Sequence, residues 1–214
     1  MTFEKEEFNL STKASGRIDV LVPRCLIGEG ANILGVSVDF EGLCSLQVEW
    51  RHGKICSIKG LKDAPKVPNE ILLPRFAEPH AHLDKAFSWS RAPNYKGSYQ
   101  EALVANLSDY KSRSENQLLF SVEKSLNLAL VNGIRAIRSH IDSFGENVIR
   151  DWDLLEDVRK KWRDKIFLQF VALVPLEFWQ THEGELLAQR VALNGDLLGG
   201  VIAPPFNKVS PATL

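Results

Sequence analysis

From residue 71 onward, apolar runs alternate with amphipathic segments, and this alternation restricts the fold more than any other feature. The patterns predict strands and helices over the following ranges: strands at 71–77, 134–141, 166–174 and 198–203, and helices at 98–110, 114–131, 151–163 and 183–193. The third run, IFLQFVALV, is nearly all apolar, as expected of a parallel strand covered on both faces. Strands alternating with helices imply a parallel sheet with right-handed crossovers. We therefore predict an α/β fold with four βα steps.

Helix start and stop signals support these boundaries. Ser114 followed by Gln117 forms a capping-box pattern, and Asn132-Gly133 supplies a stop. The segment 151–163 carries acids in its first turn and bases in its last, matching the helix dipole.

The residues before 71 predict a different, all-β region. Residues 1–16 are polar and unpatterned, which predicts a flexible arm, and 17–70 predict a small β layer. A strand is expected over 18–27, with Pro23 confining it to an edge or a bulge. Two further runs, 43–50 and 54–58, flank a turn at His52-Gly53 and predict a hairpin.

Composition excludes several classes of protein. The 214 residues carry a net charge of −1, so nothing indicates a nucleic acid or an anionic membrane surface as partner. The acidic start, MTFEKEEFNL, does not have the pattern of a signal peptide, and no apolar stretch is long enough to span a membrane. Cys25, Cys44 and Cys56 are odd in number and lack Cys-x-x-Cys spacing. We expect reduced, buried thiols in a cytoplasmic protein.

Polar side chains gather where the predicted strands end, which is where parallel α/β folds place their working residues. His80 and His82 follow the first apolar run, with Asp84 two residues further on. His140 and Asp142 end the second run at the same i, i+2 spacing. In extended chain, residues two apart point to the same face, so each pair shares a face.

The spacing of His80 and His82 suggests a metal site. Two neighbouring neutral imidazoles can share one divalent ion, because His is a common ligand for zinc and for iron. The alternative interpretation is two unrelated histidines near a strand end, since the bare spacing is a weak motif.

The segment LLPRFAEPHAHLDKAF resembles the first barrel strand of the amidohydrolase superfamily, in particular the group of cytosine deaminases and N-isopropylammelide hydrolases. A "PH-x-HLD" segment in that group is followed by an "NG" stop and an "R-T/S-H-x-D" strand. Matching residues here are 79–84, Asn132-Gly133 and 138–142. The likeness covers about residues 17–208 and matches the first half of a family member.

This resemblance implies the first half of a (β/α)8 TIM-type barrel preceded by part of a β-sandwich. One zinc or iron ion would activate water for attack on a cyclic amidine, releasing ammonia or an amine from a small heterocyclic substrate. His80 and His82 would be metal ligands, with His140 and Asp142 beside the site. Lys85 matches an "HLDK" variant of the group, although a solvated loop lysine is the equal alternative.

The chain departs from cytosine deaminases at the third strand. Those enzymes have a glutamine just after the strand's proline, whereas here Leu176 follows Pro175 and Glu177 comes next. This argues against cytosine and leaves an N-alkyl triazine or another cyclic amidine as alternatives. His182 lies at a predicted helix start and is not expected to be a ligand.

The family's further metal ligands and catalytic acid come from its fifth to eighth strands. The last residues, with Ser210 and Pro211 as helix-start signals, suggest that 71–214 comprise βα units 1–4 of a truncated barrel. Two expectations follow for function. The chain represents part of a metal-dependent C–N hydrolase, inactive alone and open to homo-oligomerisation in full-length form, or it is a non-catalytic half-barrel needing a complementary chain.

Overall fold

The computed structural model describes residues 15–28, 35–36, 38–61 and 68–202. The chain divides into two compact units, Met1–Pro74 and Arg75–Leu214. The first contains a three-stranded antiparallel sheet, and the second contains a four-stranded parallel sheet with helices. The described part of the molecule is thus a mixed α/β protein. The predicted arm over 1–14 and the predicted helix start at Ser210 lie outside the described residues.

The antiparallel sheet is built from alternating strands. Its elements are β1 (Ser15–Pro23), a short helix α1 (Arg24–Ile27), β2 (Leu43–Arg51) and β3 (Lys54–Gly60), with the strand order β1-β2-β3. Alternate residues of β1 and β2 form one buried cluster, as expected of a sheet covered on one face: Val20, Val22, Cys44, Leu46 and Val48.

The predicted hairpin is confirmed. His52 and Gly53 form the turn between β2 and β3, with φ of 50° and 71°. Both residues occupy the left-handed region that two-residue hairpin turns require.

Two expectations for this unit are wrong in part. β1 starts at Ser15, inside the predicted arm, and ends at Pro23, after which the chain turns into α1. Pro23 does lie on an edge strand, as its missing N–H demands. Cys44 is buried, but Cys25 and Cys56 are exposed, because they lie on α1 and on the edge strand β3. All three cysteines are free thiols.

The second unit confirms the alternation of strands and helices. Its elements, in chain order, are β4 (Phe76–Ala81), α2 (Tyr99–Ser112), α3 (Glu115–Val131), β5 (Ile134–Asp142), α4 (Val148–Trp162), β6 (Phe167–Pro175), a 3₁₀ helix (Leu176–Gln180), α5 (His182–Leu193) and β7 (Leu197–Val201). The strands pair in parallel in the order β4-β5-β6-β7. Their carboxyl ends therefore meet at one edge of the sheet.

One face of this sheet packs on α3, α4 and α5 in a single apolar core. The fully buried residues include Ile141, Phe170 and Val174 from the strands and Leu118 and Trp152 from the helices. Burying side chains of this size stabilises the fold by about 1.5–3 kcal/mol each. The core thereby fixes the strands whose ends carry the polar residues.

The first parallel strand is displaced from its predicted position at 71–77. β4 runs from Phe76 to Ala81, because Ile71 instead forms a parallel bridge with Leu21 in the first unit. Leu72 N also donates to the Leu21 carbonyl, over 2.8 Å. Pro74 has no N–H to contribute to a ladder before Phe76.

The boundaries of α3 agree with its cap signals, whereas the start of α4 does not agree with its predicted start. Ser114 and Gln117 form the capping box at the start of α3, and Gly133 ends the turn after it at φ 79°. α4 begins at Val148, three residues before the predicted start at Asp151. Asp151 lies in the first turn of α4, where a negative charge interacts favourably with the positive end of the helix dipole.

Candidate functional site

Three imidazoles converge at the carboxyl ends of β4 and β5. His80 lies within β4 next to its last residue, His82 directly follows the strand, and His140 lies near the end of β5. The ring centroids of His80 and His82 are 5.2 Å apart, and those of His80 and His140 are stacked at 4.0 Å. The β4–β5 register is irregular between Glu78 and Ala81, the interval that contains Pro79 and His80.

The tautomer of His82 follows from its hydrogen bond. His82 Nδ1 lies 3.0 Å from the carbonyl oxygen of His140. A carbonyl can only accept, so Nδ1 carries the proton and Nε2 of the neutral ring has a free lone pair. Ligating histidines commonly use this type of hydrogen bond to fix the ring.

Burial and neighbouring charges favour the neutral forms of His82 and His140 by lowering the pKa of each. Burial lowers the pKa of His82, and the nearby charge of Lys85 lowers it further. Burial also lowers the pKa of His140, with a second contribution from His80. Neutral rings are the form in which histidine binds metals.

Asp142, the last residue of β5, is held by two side chains. Lys85 Nζ donates to its carboxylate oxygens over 2.9 and 3.0 Å, and Asn106 Nδ2 donates to Oδ2 over 2.8 Å. The Lys85 side chain is 21% exposed, so in the structure it is an ion-paired side chain rather than a solvated loop lysine. The pair joins the turn after β4 to the end of β5.

Asp84 is fully buried beneath this pair. Burial, and then the neighbouring charge of Asp142, raise the pKa of Asp84 to about 6. Arg113 donates to the carbonyl oxygen of Asp84 over 2.6 Å and forms an ion pair with Asp151 at 3.2 Å. Arg150 contacts the other oxygen of Asp151. Three carboxylates and three cations thus form one buried and half-buried network: Asp84, Asp142, Asp151, Lys85, Arg113 and Arg150.

The predicted substrate-flanking residues of the third strand lie on the 3₁₀ helix after β6. Leu176 packs over Gly200 of β7, and Glu177 is exposed. No hydrogen bond or ion pair within the described ranges joins either residue to the imidazoles. His182 is exposed as the first residue of α5.

The residues present agree with a metal site in donor chemistry. His80 and His82 are neighbouring imidazoles, and the geometry leaves Nε2 of His82 free to bind. Among the described residues, no group of three or more His, Cys, Asp or Glu side chains is arranged to hold an ion. Catalytic zinc sites use three protein ligands, so two imidazoles supply only part of such a set.

Sequence reasoning missed three residues of the network, Arg113, Arg150 and Asp151, and also Asn106, which donates to Asp142. They lie on or next to helices, where a polar residue is normally interpreted as solvent-facing. In the sequence, Asp151 has only the pattern of an acid in the first turn of a helix.

Imidazoles and carboxylates at the carboxyl edge of a parallel sheet define an α/β protein with a candidate active site at that edge. No protein-family model matches the chain. It is 35% identical over 169 residues to a pterin deaminase of Rhizobium rhizogenes (strain K84 / ATCC BAA-868), a match that covers 75% of the chain and 39% of that relative. It is 22% identical over 194 residues to the N-isopropylammelide isopropyl amidohydrolase of Pseudomonas sp. (strain ADP), a match that covers 86% of the chain and 45% of that relative.

A solved structure supports the same relationship at the level of the fold. The 5-methylcytosine deaminase of Klebsiella pneumoniae, liganded with phosphonocytosine, aligns with a TM-score of 0.65 and 19% identity over 91% of this chain and 45% of that chain. The chain belongs to the amidohydrolase superfamily, in the group of the cytosine deaminases and N-isopropylammelide hydrolases. It spans 39% to 45% of the length of the curated relatives that it matches.

Proposed function

We propose that the chain forms the metal-binding and substrate-flanking part of a hydrolytic deaminase acting on an amino-substituted nitrogen heterocycle. One observation carries the proposal: His80, His82 and His140 gather at the carboxyl edge of the sheet, with Nε2 of His82 left free. The similarity to deaminases and amidohydrolases supports the reaction class.

In this proposal His80 and His82 hold one divalent ion, zinc or iron. Such an ion, when bound, supplies hydroxide at neutral pH by lowering the pKa of water to about 7. His140 stacks on His80 and orients that ring, while Asp142 and Lys85 keep the turn after β4 in place. The lowered pKa of the half-buried His82 favours its neutral form, in which Nε2 can bind the ion.

The proposed architecture is four βα units of a (β/α)8 barrel, with the antiparallel sheet as part of a β-sandwich. The parallel order β4-β5-β6-β7 and the alignment to the 5-methylcytosine deaminase fold support it. The proposed domain boundary, at residues 70–71, lies close to the division at Pro74. Among the helices within the described ranges, none is long and apolar enough to cross a membrane.

Pterin is the first substrate to test, because the relative with 35% identity is named a pterin deaminase. Cytosine is less favoured, since Leu176 occupies the place at which cytosine deaminases carry a glutamine. An N-alkyl triazine is the second candidate, on the match to the N-isopropylammelide hydrolase.

A chimera tests the reaction. The aligned residues of the Rhizobium rhizogenes pterin deaminase are replaced by this chain. Ammonia release is then measured with pterin and cytosine, and isopropylamine release with N-isopropylammelide. We expect turnover of at least one substrate and its loss in His80→Ala and His82→Ala. A folded chimera that turns over none of them would contradict the proposal.

Metal binding tests the site on the 214-residue chain itself. We expect weak zinc binding by calorimetry, because two imidazoles are fewer ligands than a catalytic site uses. His80→Ala and His82→Ala should each abolish it, whereas His182→Ala, which changes an exposed histidine of α5, should not. Equal binding by all variants would place the ion elsewhere.

The alternative is a half-barrel that works only with a complementary chain. One observation favours it: Phe76 on β4 and Phe167 on β6, the strands on either side of β5, have 54% and 63% of their surface exposed. We expect the isolated chain to be inactive in ammonia-release assays with added zinc or iron. Robust turnover would exclude that alternative and leave the deaminase proposal intact.

A further inference from the structure

We propose that Arg113 is a positioning residue that holds residues 82–85, here called the His82–Lys85 segment, against the end of β5. The proposal rests on the proposed function, because it gives this segment the task of presenting His82 to a metal. Its structural part can be tested without metal.

Every residue of the His82–Lys85 segment is tied to β5. His82 Nδ1 bonds the His140 carbonyl, and Leu83 N donates to Ser139 Oγ, each over 3.0 Å. Asp84 Oδ2 accepts from Asp142 N at 3.4 Å, and Lys85 pairs with the Asp142 carboxylate. All of these bonds attach the segment to β5.

Arg113 holds the segment from another side. Its Nη1 donates to the Asp84 carbonyl oxygen over 2.6 Å, and Nη2 donates to Asp151 Oδ2 over 3.2 Å. The arginine side chain is 1% exposed, and the Asp84 and Asp151 side chains are 0% and 2% exposed. A planar guanidinium can bridge two such acceptors in one fixed geometry, which a lysine ammonium cannot reproduce.

The backbone of Arg113 is itself well fixed. Arg113 caps the carboxyl end of α2, where its N–H donates to the Asp109 carbonyl, and it directly precedes Ser114, the N-cap of α3. Asp151 lies in the first turn of α4. The position of the arginine is therefore fixed by three helices, α2, α3 and α4, and the arginine in turn fixes the position of the Asp84 carbonyl group.

This contact acts on the candidate site because of where Asp84 lies. Its carbonyl is two residues from His82 and adjacent to Lys85, so a displaced Asp84 backbone would shift the His82 ring and break its bond to His140. Loss of that bond would free His82 to populate both tautomers. The contact with Arg113 thus selects the His82 tautomer whose Nε2 is free.

The metal-free experiment compares Arg113→Met and Arg113→Lys with the control Arg150→Met in the 214-residue chain. Arg150 contacts Asp151 but forms no described bond to the His82–Lys85 segment. Long-range ¹⁵N–¹H NMR of the imidazoles reports the His82 tautomer, and amide exchange of Leu83 and Asp142 reports the segment. Arg113→Lys keeps a positive charge between the buried acids, so it provides a folded variant if Arg113→Met fails to fold.

We expect the Arg113 variants to lose the single Nδ1–H tautomer and to exchange both amides faster, while Arg150→Met keeps both properties. An unchanged tautomer in folded Arg113→Lys would overturn the proposal. So would an equal change in Arg150→Met, because the effect would then arise from Asp151 alone.

Zinc affinity separates this proposal from the proposed function. We expect folded Arg113 variants to bind zinc about 10-fold more weakly than the wild type, the usual effect of losing a group that orients a ligand. If the wild-type chain binds no zinc, the metal part of the proposed function fails, while the tautomer experiment still decides the role of Arg113.

Discussion

Asp142 is the residue on which the turn after β4, helix α2 and strand β5 converge. Its carboxylate accepts from Lys85 and from Asn106, and its N–H faces Asp84. A nearly buried carboxylate needs such donors, because an ionised group deprived of water is costly unless it is hydrogen-bonded. Asn106 is the donor contributed by α2.

Replacing Asn106 tests how much this donor contributes. We expect Asn106→Leu to lower the free energy of unfolding by about 1–2 kcal/mol, since it removes a hydrogen bond to a charged acceptor. Urea denaturation monitored by circular dichroism measures the change.

The control for this prediction is Asn127→Leu. Asn127 donates to the Glu123 carbonyl on the exposed surface of α3, where water can replace the lost bond. We expect a change within about 0.5 kcal/mol, as for most surface substitutions. Equal effects of the two substitutions would show that the bond to Asp142 has no special weight.

The residues of the candidate site differ in how well their positions could be predicted from the sequence. His80, His82 and His140 could be predicted to lie together, because strand ends and i, i+2 spacing are local properties. Their roles as ligands stay predictions. Arg113 and Asp151 are 38 positions apart and meet only through the packing of helices, so no local pattern indicates their contact.

At the scale of the element, the capping box of α3 is a local signal that the structure reproduces. Ser114 Oγ accepts from Gln117 N over 3.3 Å, and the Gln117 side chain accepts from Ser114 N over 2.8 Å. We expect Ser114→Ala to lower the free energy of unfolding by about 1 kcal/mol, the usual contribution of an N-cap. Thermal and urea unfolding measure the loss.

Ser125→Ala is the matched control within the same helix. Ser125 Oγ donates to the Ser121 carbonyl one turn earlier, a bond that does not cap the helix. Because alanine has the higher helix propensity, we expect no loss of stability. A loss as large as that of Ser114→Ala would contradict the capping role.

The end of α3 provides a second prediction at this scale. Gly133 has φ of 79°, and a Cβ added there would meet no atom within 4 Å. Any loss of stability in Gly133→Ala therefore comes from backbone conformation. We expect the free energy of unfolding, measured by urea denaturation, to fall by about 1 kcal/mol. Gly133→Asn should cost less, because asparagine tolerates the left-handed region. If Gly133→Ala and Gly133→Asn lowered the free energy of unfolding equally, a lost contact rather than backbone conformation would explain the effect.

The order of strands and helices was predictable because each has its own hydrophobic period. The bounds of β4 were not, since the apolar run ILLPRFA is divided between two units by pairings distant in sequence. Ile71 bridges to Leu21, and Phe76 N donates to the Gly133 carbonyl over 2.9 Å. An apolar run shows that residues are buried or paired, but it does not show with which strand.

At the scale of the whole molecule, the two units have separate apolar cores. Among the described residues, the buried cluster of the first unit has five members, including Leu46, and that of the second has nineteen, including Leu118. A small core stabilises less than a large one, because the favourable free energy scales with the apolar area removed from water. The two units should therefore open with different free energies.

Paired core substitutions test this independence. Leu46 and Leu118 are both almost completely buried, so truncation to alanine costs each unit about 2–5 kcal/mol. We expect Leu118→Ala to speed amide exchange in β5, β6 and α3 while leaving β1–β3 unchanged, and Leu46→Ala to do the reverse. Hydrogen exchange with mass spectrometry resolves both sets of peptides. Faster exchange in both units for either variant would mean that the chain unfolds as one cooperative body and would contradict the prediction.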